Sequence, residues 1–186
     1  MTPQRLFLAI PVPKKLKDAF LECQVQNQHL EKLNLKWTPE NNFHVTLFFL
    51  GNVLPHNIHP LTQTLQNVFS EIEPFEIEFE KYLLPHIHDP RMIWARFREN
   101  EKFFQLSKKA FQTCRKFMED RLPHSKNQIP HVTMARLKDV NERIDLIQSP
   151  IPSEKLNIDH VELWLSERES NGVRYKSLAA FPFRED

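Results

Sequence analysis

The chain has 186 residues, enough for one large domain with a core of its own. Its 25 lysines and arginines nearly balance 24 aspartates and glutamates, so the net charge of +1 gives no global attraction to nucleic acid or anionic lipid. Only two glycines are present, Gly51 and Gly172, which argues against a glycine-rich loop holding ATP or a dinucleotide.

The first half of the chain predicts a strand, a helix, a second strand and a second helix. Arg5 to Ile10 is a short apolar run, as in a buried strand, and Lys14 to Leu33 carries apolar residues at helical spacing. The run from His44 to Leu50 is β-branched and aromatic, which predicts a strand that ends at Gly51. A helix is predicted from about His56 to Ser70.

The second half repeats this order. Arg91 to Ala95 matches the first strand in pattern, Glu101 to Arg121 predicts an amphipathic helix, and His131 to Ala135 follows as a strand. In the first half 35 residues separate Ala9 from His44, and in the second 36 separate Ala95 from His131. A strand, a helix and a His-x-Thr strand that recur at one spacing indicate an internal duplication.

Three further strands are predicted, over Phe75 to Phe79, Leu156 to Leu165 and Val173 to Phe181. The predicted fold is therefore α+β and bilobal: two similar lobes of antiparallel sheet, with helices packed outside and a central cleft that carries one His-x-Thr strand from each lobe. No low-complexity linker separates the lobes, so residues 1–186 are predicted to form a single domain.

The two His-x-Thr strands are the candidate active site. Because side chains alternate along a strand, His44 and Thr46 share one face, and so do His131 and Thr133. Displacement at phosphorus needs a base for the attacking water and an acid for the leaving oxygen, and an imidazole can fill either role at neutral pH. Threonine hydroxyls can donate hydrogen bonds to the phosphoryl oxygens, so this chemistry requires no metal or other cofactor.

One His-x-Thr on a strand is typical of a buried, hydrogen-bonded histidine, but core packing rarely needs an imidazole at both matched positions of a repeat. The flanking sequences are HVTLFFLG (residues 44–51), PHVTMAR (130–136) and RLFLAIPVP (5–13), with Trp37 ahead of the first motif. Together they resemble the two-histidine (2H) phosphoesterases, and most closely the RNA 2′,3′-cyclic phosphodiesterase branch, also called 2′-5′ RNA ligases. The resemblance covers almost the whole chain.

This resemblance implies metal-independent hydrolysis of a 2′,3′-cyclic phosphate at an RNA end, leaving a 2′-phosphate. It implies that His44 is the general acid and His131 the general base, and that Thr46 and Thr133 hold the phosphate. The family motif often extends to His-x-Thr-x-x-Arg, which selects Arg136 as a phosphate contact. Strict alternation, however, puts Arg136 on the opposite face from His131, so it reaches the cleft only if the strand twists or ends near Ala135, and a surface ion pair is the alternative.

Three aromatic residues near the motifs need separate interpretation. Phe48 shares the His44 face under strict alternation, where it could stack on a base or a ribose, although a place in the core is as compatible with the sequence. Trp37 and Trp94 are predicted to be packing residues.

Two histidine groups raise the alternative of a metal site. His56 and His59 could share a helix face, and His86 and His88 stand beside Asp89. Both groups lie next to prolines without a third ligand at matching spacing, so no metal is predicted.

Cys23 and Cys114 lie far apart on the apolar faces of predicted helices, as expected of reduced core residues, and no apolar stretch approaches the length of a membrane span. The N-terminal apolar run is too short for a signal peptide and has its charges on the wrong side. The sequence therefore predicts a cytoplasmic monomer, with no membrane and no obligate protein partner. The expected substrates are RNA 3′ ends or small cyclic-phosphate nucleotides. Ligation of 2′-5′ RNA ends at the same site and non-catalytic binding of RNA ends remain alternatives.

Overall fold

The structure, a computed structural model, describes residues 2–84, 91–119, 128–138, 144–149, 155–170 and 172–184. Within these ranges the chain forms nine strands: β1 (Gln4–Pro11), β2 (Leu35–Trp37), β3 (His44–Val53), β4 (Phe75–Leu83), β5 (Met92–Phe97), β6 (His131–Leu137), β7 (Lys155–Ile158), β8 (His160–Glu169) and β9 (Gly172–Pro182). The same ranges hold α1 (Lys14–Gln26), α2 (Pro55–Phe69) and α3 (Glu101–Cys114), and 3-10 helices over Gln28–Leu33, Glu40–Asn42 and Arg115–Phe117.

The strands form one antiparallel sheet whose order is symmetric about its centre. The order is β7-β4-β5-β6-β3-β1-β8-β9, with β2 paired to the far end of β6. Outward from the centre, one lobe is β3, β1, β8 and β9, and the other is β6, β5, β4 and β7. Each lobe contains the unit strand, helix, His-x-Thr strand, namely β1-α1-β3 and β5-α3-β6. This architecture confirms the predicted α+β fold with two similar lobes.

The helix in each of these units contacts the His-x-Thr strand of the other lobe. Ser107 of α3 donates from its Oγ to the carbonyl oxygen of Leu47 in β3, at 3.0 Å. Gln24 of α1 donates from its Nε2 to the carbonyl oxygen of Met134 in β6, at 3.3 Å. The two lobes are therefore interlocked, because each supplies a helix that binds the backbone of the other.

Both long predicted helices end earlier than their apolar spacing suggests. The helix expected to reach Leu33 ends at Gln26, because the buried Asn27 donates from its side chain to the Cys23 carbonyl and to that of Ile147. A polar side chain that binds backbone groups in this way competes with helix continuation. The helix expected to reach Arg121 ends at Cys114 and continues as a 3-10 turn, and Arg121 itself lies outside the described residues.

Two strand predictions were wrong at specific residues. The strand expected to stop at Gly51 runs on to Val53, because Gly51 adopts a φ of 72° within a β-bulge that glycine tolerates. The stretch from Leu156 to Leu165 is not one strand but two, separated at Asp159 and placed at opposite sides of the sheet.

The predicted alignment of the two repeats is also displaced by one residue. Pro11 lies opposite His44, and Arg96 lies opposite His131. The residue that precedes each of these on its strand is Ile10 in one lobe and Ala95 in the other. Ala9 is therefore not the structural counterpart of Ala95, although the two sequences align best that way.

Candidate active site

The candidate site lies where the two lobes meet, on β3 and β6. These strands are joined at Val45 and Val132, both fully buried. Antiparallel pairing about this point sets His44 opposite Thr133 and His131 opposite Thr46. All four of these side chains are partly exposed and share the face that the valines do not use. The structure thus brings together the two histidines and two threonines singled out in the sequence.

Each histidine ring is held in the same way. Nδ1 of His44 lies 2.7 Å from the carbonyl oxygen of Asn42, and Nδ1 of His131 lies 2.9 Å from that of Ile129. A carbonyl can only accept, so Nδ1 carries the hydrogen in both rings and Nε2 is left as the atom that gains or loses a proton. Nε2 of His44 lies 3.0 Å from the hydroxyl oxygen of Thr46, which donates to it in the neutral ring.

His44 rests on a cluster of aromatic rings. Its ring centroid lies 5.0 Å from that of Phe7, 5.1 Å from Trp164 and 5.2 Å from Tyr175. Phe7 and Trp164 are buried on the site face of the sheet, apart from the main core. Trp164 is held in turn by Glu162, whose carboxylate accepts from the indole Nε1 at 2.6 Å. The orientation of the His44 ring is therefore fixed by these aromatic contacts as well as by the hydrogen bond to Asn42.

His131 has a different aromatic neighbour. Trp94 stacks on it nearly parallel, with ring centroids 3.7 Å apart and an interplanar angle of 18°. Trp94 therefore contacts a site histidine in addition to the packing role predicted from the sequence. Its place on the site face depends on the pairing of Trp94 with Thr133 across β5 and β6, which the sequence does not reveal.

Both imidazoles are biased toward the neutral form. The pKa of His44 is lowered from 6.5 to about 4: burial is the main cause, the hydrogen bond to Asn42 opposes it, and the positive charges of His131 and Arg136 add to the lowering. Burial also lowers the pKa of His131, with a contribution from Arg136. An anion bound between the rings would stabilise the imidazolium form, so the site favours an anionic ligand.

A β-bulge in β6 places Arg136 on the site face. Trp94 pairs with Thr133 and Ile93 pairs with Ala135, so Met134 is the extra residue without a partner on β5, and the alternation shifts by one residue. Arg136 is consequently exposed on the same face as Thr133. The prediction from strict alternation was wrong at this position, whereas the position selected by the family motif lies on the site face.

The equivalent bulge in β3 contradicts the prediction for Phe48. Ala9 pairs with Thr46 and Leu8 pairs with Phe48, so Leu47 is the extra residue. Phe48 turns into the core, where it is 6% exposed and packs on Phe111. Phe49 takes the site face instead, is 54% exposed, and has its ring centroid 5.8 Å from that of Phe7. The sequence analysis missed Phe49 because a bulge leaves no mark in the alternation of apolar residues.

The bulges are stabilised by the interlocked helices. Their central residues are Leu47 and Met134, whose carbonyls accept the hydrogen bonds from Ser107 and Gln24 described above. Carbonyls displaced from a regular ladder need such partners when they are buried. The helices therefore hold the bulges that direct Phe49 and Arg136 toward the site.

The described residues show no metal-binding group. They contain no cluster of three or more histidine, cysteine, aspartate or glutamate side chains that could hold an ion. His56 and His59 lie on α2 and are not part of any such cluster among these residues, while His86, His88 and Asp89 lie outside the described part of the chain. Cys23 and Cys114 are buried free thiols. Of the helices described, none is long and apolar enough to cross a membrane.

Comparison with known proteins finds phosphoesterases that are similar to this chain. A family model described as LigT-like phosphoesterase matches residues 10–94. The RNA 2′,3′-cyclic phosphodiesterase of Geobacillus stearothermophilus is 25% identical over 98% of this chain, and the protein of that name from Archaeoglobus fulgidus is 25% identical over 95%. The chain spans 58% of the length of the Geobacillus relative and 99% of the Archaeoglobus one.

The fold agrees with these sequence matches. The crystal structure of E. coli LigT complexed with 3′-AMP superposes with a TM-score of 0.79, at 18% identity, and covers 98% of this chain and 99% of that one. The antiparallel sheet, with one His-x-Thr strand from each lobe, is the architecture expected from the resemblance to the two-histidine phosphoesterases. The chain resembles the LigT-like phosphoesterases in sequence, and the E. coli LigT structure in fold.

Proposed function

We propose that this protein hydrolyses 2′,3′-cyclic phosphates at RNA 3′ ends, without a metal, and leaves a 2′-phosphate. The observation that carries the proposal is the matched pair of imidazoles on β3 and β6. Each ring is fixed through Nδ1 to a backbone carbonyl, and the two rings share one face with two threonines. Relatives along the whole chain are named for this activity.

In the proposed reaction His131 acts as the general base and His44 as the general acid. Nε2 of His131 takes a proton from water as the water oxygen forms a bond to phosphorus. The bond between phosphorus and the 3′ oxygen breaks, and Nε2 of His44 gives its proton to that oxygen. The assignment of the two roles follows the family resemblance, since the hydrogen bonds to the two rings are equivalent.

Binding of the cyclic phosphate prepares the acid. The monoanion favours the protonated form of His44, whose pKa is about 4 in the free protein. Once Nε2 carries a proton, it no longer accepts from the Thr46 hydroxyl. That hydroxyl can then donate to a phosphoryl oxygen, as the Thr133 hydroxyl can from the other strand, while Arg136 supplies a positive charge at the rim.

Phe49 is the residue we propose to contact the terminal base. It is an exposed aromatic side chain on the His44 strand and packs against Phe7, which itself contacts the His44 ring. Stacking of this kind tolerates any base, because every base has a π-face. Phe49, and not Phe48, is therefore the residue placed to stack on a base.

Product analysis tests the activity. An oligoribonucleotide with a terminal 2′,3′-cyclic phosphate should be converted to one with a 2′-phosphate, at a rate that EDTA leaves unchanged. His44→Ala and His131→Ala should each lower the rate by roughly 10²–10⁴-fold, as expected for loss of a general acid or base. A 3′-phosphate product would refute the acid assignment, and near-normal turnover by both variants would refute the catalytic pair. Joining of RNA ends in place of hydrolysis would favour the ligase alternative.

A further inference from the structure

A second basic residue lies beside Arg136 on the site face. In the short pairing of β2 with β6, Lys36 lies directly opposite Arg136, while the flanking pairs on either side are largely apolar. Residues directly opposite each other on antiparallel strands share a face. Both Lys36 and Arg136 are exposed. Lys36 is one of the basic residues near the motifs in the sequence, but its pairing with Arg136, a hundred residues away in the chain, is visible only in the structure.

Two like charges directly opposite each other weaken a strand pair. The two side chains point apart: Nη1 of Arg136 lies 3.6 Å from the sulfur of Met92 on β5, away from β2, and Nζ of Lys36 lies beside Gly172. A bound anion would be attracted by both side chains. The divergence also means that the lysine and the arginine can serve two neighbouring anionic groups and need not share one.

The tip of the hairpin formed by β8 and β9 lies beside the side chain of Lys36. A Cβ atom at Gly172 would lie 2.9 Å from Nζ of Lys36, so a larger residue there would displace the ammonium group. Gly172 also has a φ of 149°, which other residues rarely adopt. Asn42 donates to the Val173 carbonyl at 2.8 Å and ties the same hairpin to the segment before His44.

The site therefore has two chemically different ends along the strand direction. Phe49 lies beyond Thr46 on β3, whereas Arg136 and Lys36 lie beyond Thr133 in the opposite direction. In a nucleotide the base and C5′ are attached to the two ring carbons that flank the ribose oxygen, and the 2′,3′-cyclic phosphate bridges the other two. A cyclic phosphate held between the histidines lets base and C5′ leave toward opposite ends.

We propose that Lys36 binds the phosphodiester on the 5′ side of the terminal nucleotide, so that the preferred substrate is an RNA end and not a free cyclic mononucleotide. The inference rests on the proposed function and adds a specificity-determining residue to it. Phe49 would mark the end where the base lies, and Lys36 the end where the RNA chain continues. The remainder of the RNA would leave the cleft past the β8–β9 hairpin.

Two substrates that differ by one 5′ nucleotide, and so by the phosphodiester that attaches it, test the proposal. The first is cytidine 2′,3′-cyclic phosphate, and the second is the dinucleotide adenylyl-cytidine with the same terminal cyclic phosphate. Lys36→Gln should lower kcat/KM for the dinucleotide at least about tenfold, the effect of losing a charged hydrogen bond, and change that for the mononucleotide less than about twofold. Lys36→Arg should retain the wild-type preference. The dependence of the dinucleotide kcat/KM on salt should also weaken in Lys36→Gln.

Lys102→Gln is the matched control, because Lys102 is exposed on α3 in the helical layer and undergoes the same change of charge. It should leave the preference for the dinucleotide unchanged. Gly172→Ala should reduce this preference by displacing the ammonium group, and should reduce it no further when combined with Lys36→Gln. Additive losses of preference in the double variant would contradict the assigned position of Lys36.

The outcomes separate this proposal from the proposed function. An equal loss on both substrates, or no loss on the dinucleotide, would overturn the role of Lys36 while leaving the hydrolysis intact. A wild-type protein that hydrolyses neither substrate would refute the activity instead. In that event, equilibrium binding of cytidine 2′-monophosphate and of adenylyl-cytidine 2′-phosphate makes the same comparison, and equal affinities would overturn the inference.

Discussion

His44 should make the folded protein sensitive to acid, and replacing it should relieve that sensitivity. In the unfolded chain its pKa is near 6.5, whereas burial lowers the pKa to about 4 in the folded state. Between these values the unfolded state binds more protons than the folded state, so stability falls as the pH drops from 6.5 toward 4. Above pH 6.5 the ring is neutral in both states and contributes no pH dependence.

The two pKa values give the size of the effect. At pH 5, linkage predicts that His44 lowers the free energy of unfolding by about 2 kcal/mol, and at pH 7.5 by nearly nothing. His44→Gln should therefore lose about 2 kcal/mol less stability than the wild type between these two pH values. Hydrogen bonds that the substitution removes at both pH values cancel in this comparison.

Urea unfolding at pH 7.5 and pH 5 measures the difference. His59→Gln serves as the control, because His59 is an exposed histidine on α2, and it should follow the wild-type pH dependence. At pH 5 inorganic phosphate should stabilise the wild type more than it stabilises the His44→Gln variant, since the bound anion favours the imidazolium form of His44. Parallel stability losses for wild type and His44→Gln would refute the burial of a neutral imidazole at this site.

Three further measurements address the rest of the site. Phe49→Ala should raise KM by about 5- to 100-fold, because one base stack is lost, and should leave the stability nearly unchanged. Phe48→Ala should instead lower the stability by about 3–5 kcal/mol, because Phe48 is buried in the core. The reverse pattern would refute the assignment of the bulge. Glu162→Leu should lower kcat by leaving the Trp164 indole N–H without its acceptor, and Glu162→Gln should restore it; equal kcat in all three proteins would exclude a positioning role. EDTA treatment should leave turnover unchanged, and an activity restored only by added metal would refute the acid–base mechanism.

The elements and the central pair of the site could be predicted from sequence because they depend on local periodicity. Runs such as residues 44–50 show their strand character directly, and the repeat brings His44 and His131 to equivalent places. The sequence could not show where a β-bulge interrupts the two-residue alternation of side chains along a strand. Because of the bulge at Leu47, Phe49 and not Phe48 faces the site, and because of the bulge at Met134, Arg136 faces it as well. Neither bulge changes the pattern of apolar residues in the sequence.

One of the other errors did leave a trace in the sequence. In the stretch predicted as a single strand, the apolar positions are Leu156 and Ile158 and then Val161 and Leu163, so the two-residue period breaks at Asp159. A strand that keeps one face buried cannot change phase in this way without a bulge or a break. Contacts between distant segments, such as Lys36 with Arg136, follow from strand order and are invisible in local patterns.

The crossed helices also limit how the protein can be divided. If the chain were cut between α2 and β4, each fragment would keep a His-x-Thr strand but lose the helix that binds its carbonyl at Leu47 or Met134. Neither fragment should fold alone, but a mixture of the two should assemble, because α3 of one fragment can bind β3 of the other, and α1 can bind β6. Although the architecture consists of two similar units, each unit depends on a helix of the other, so both must be present for either to be stable.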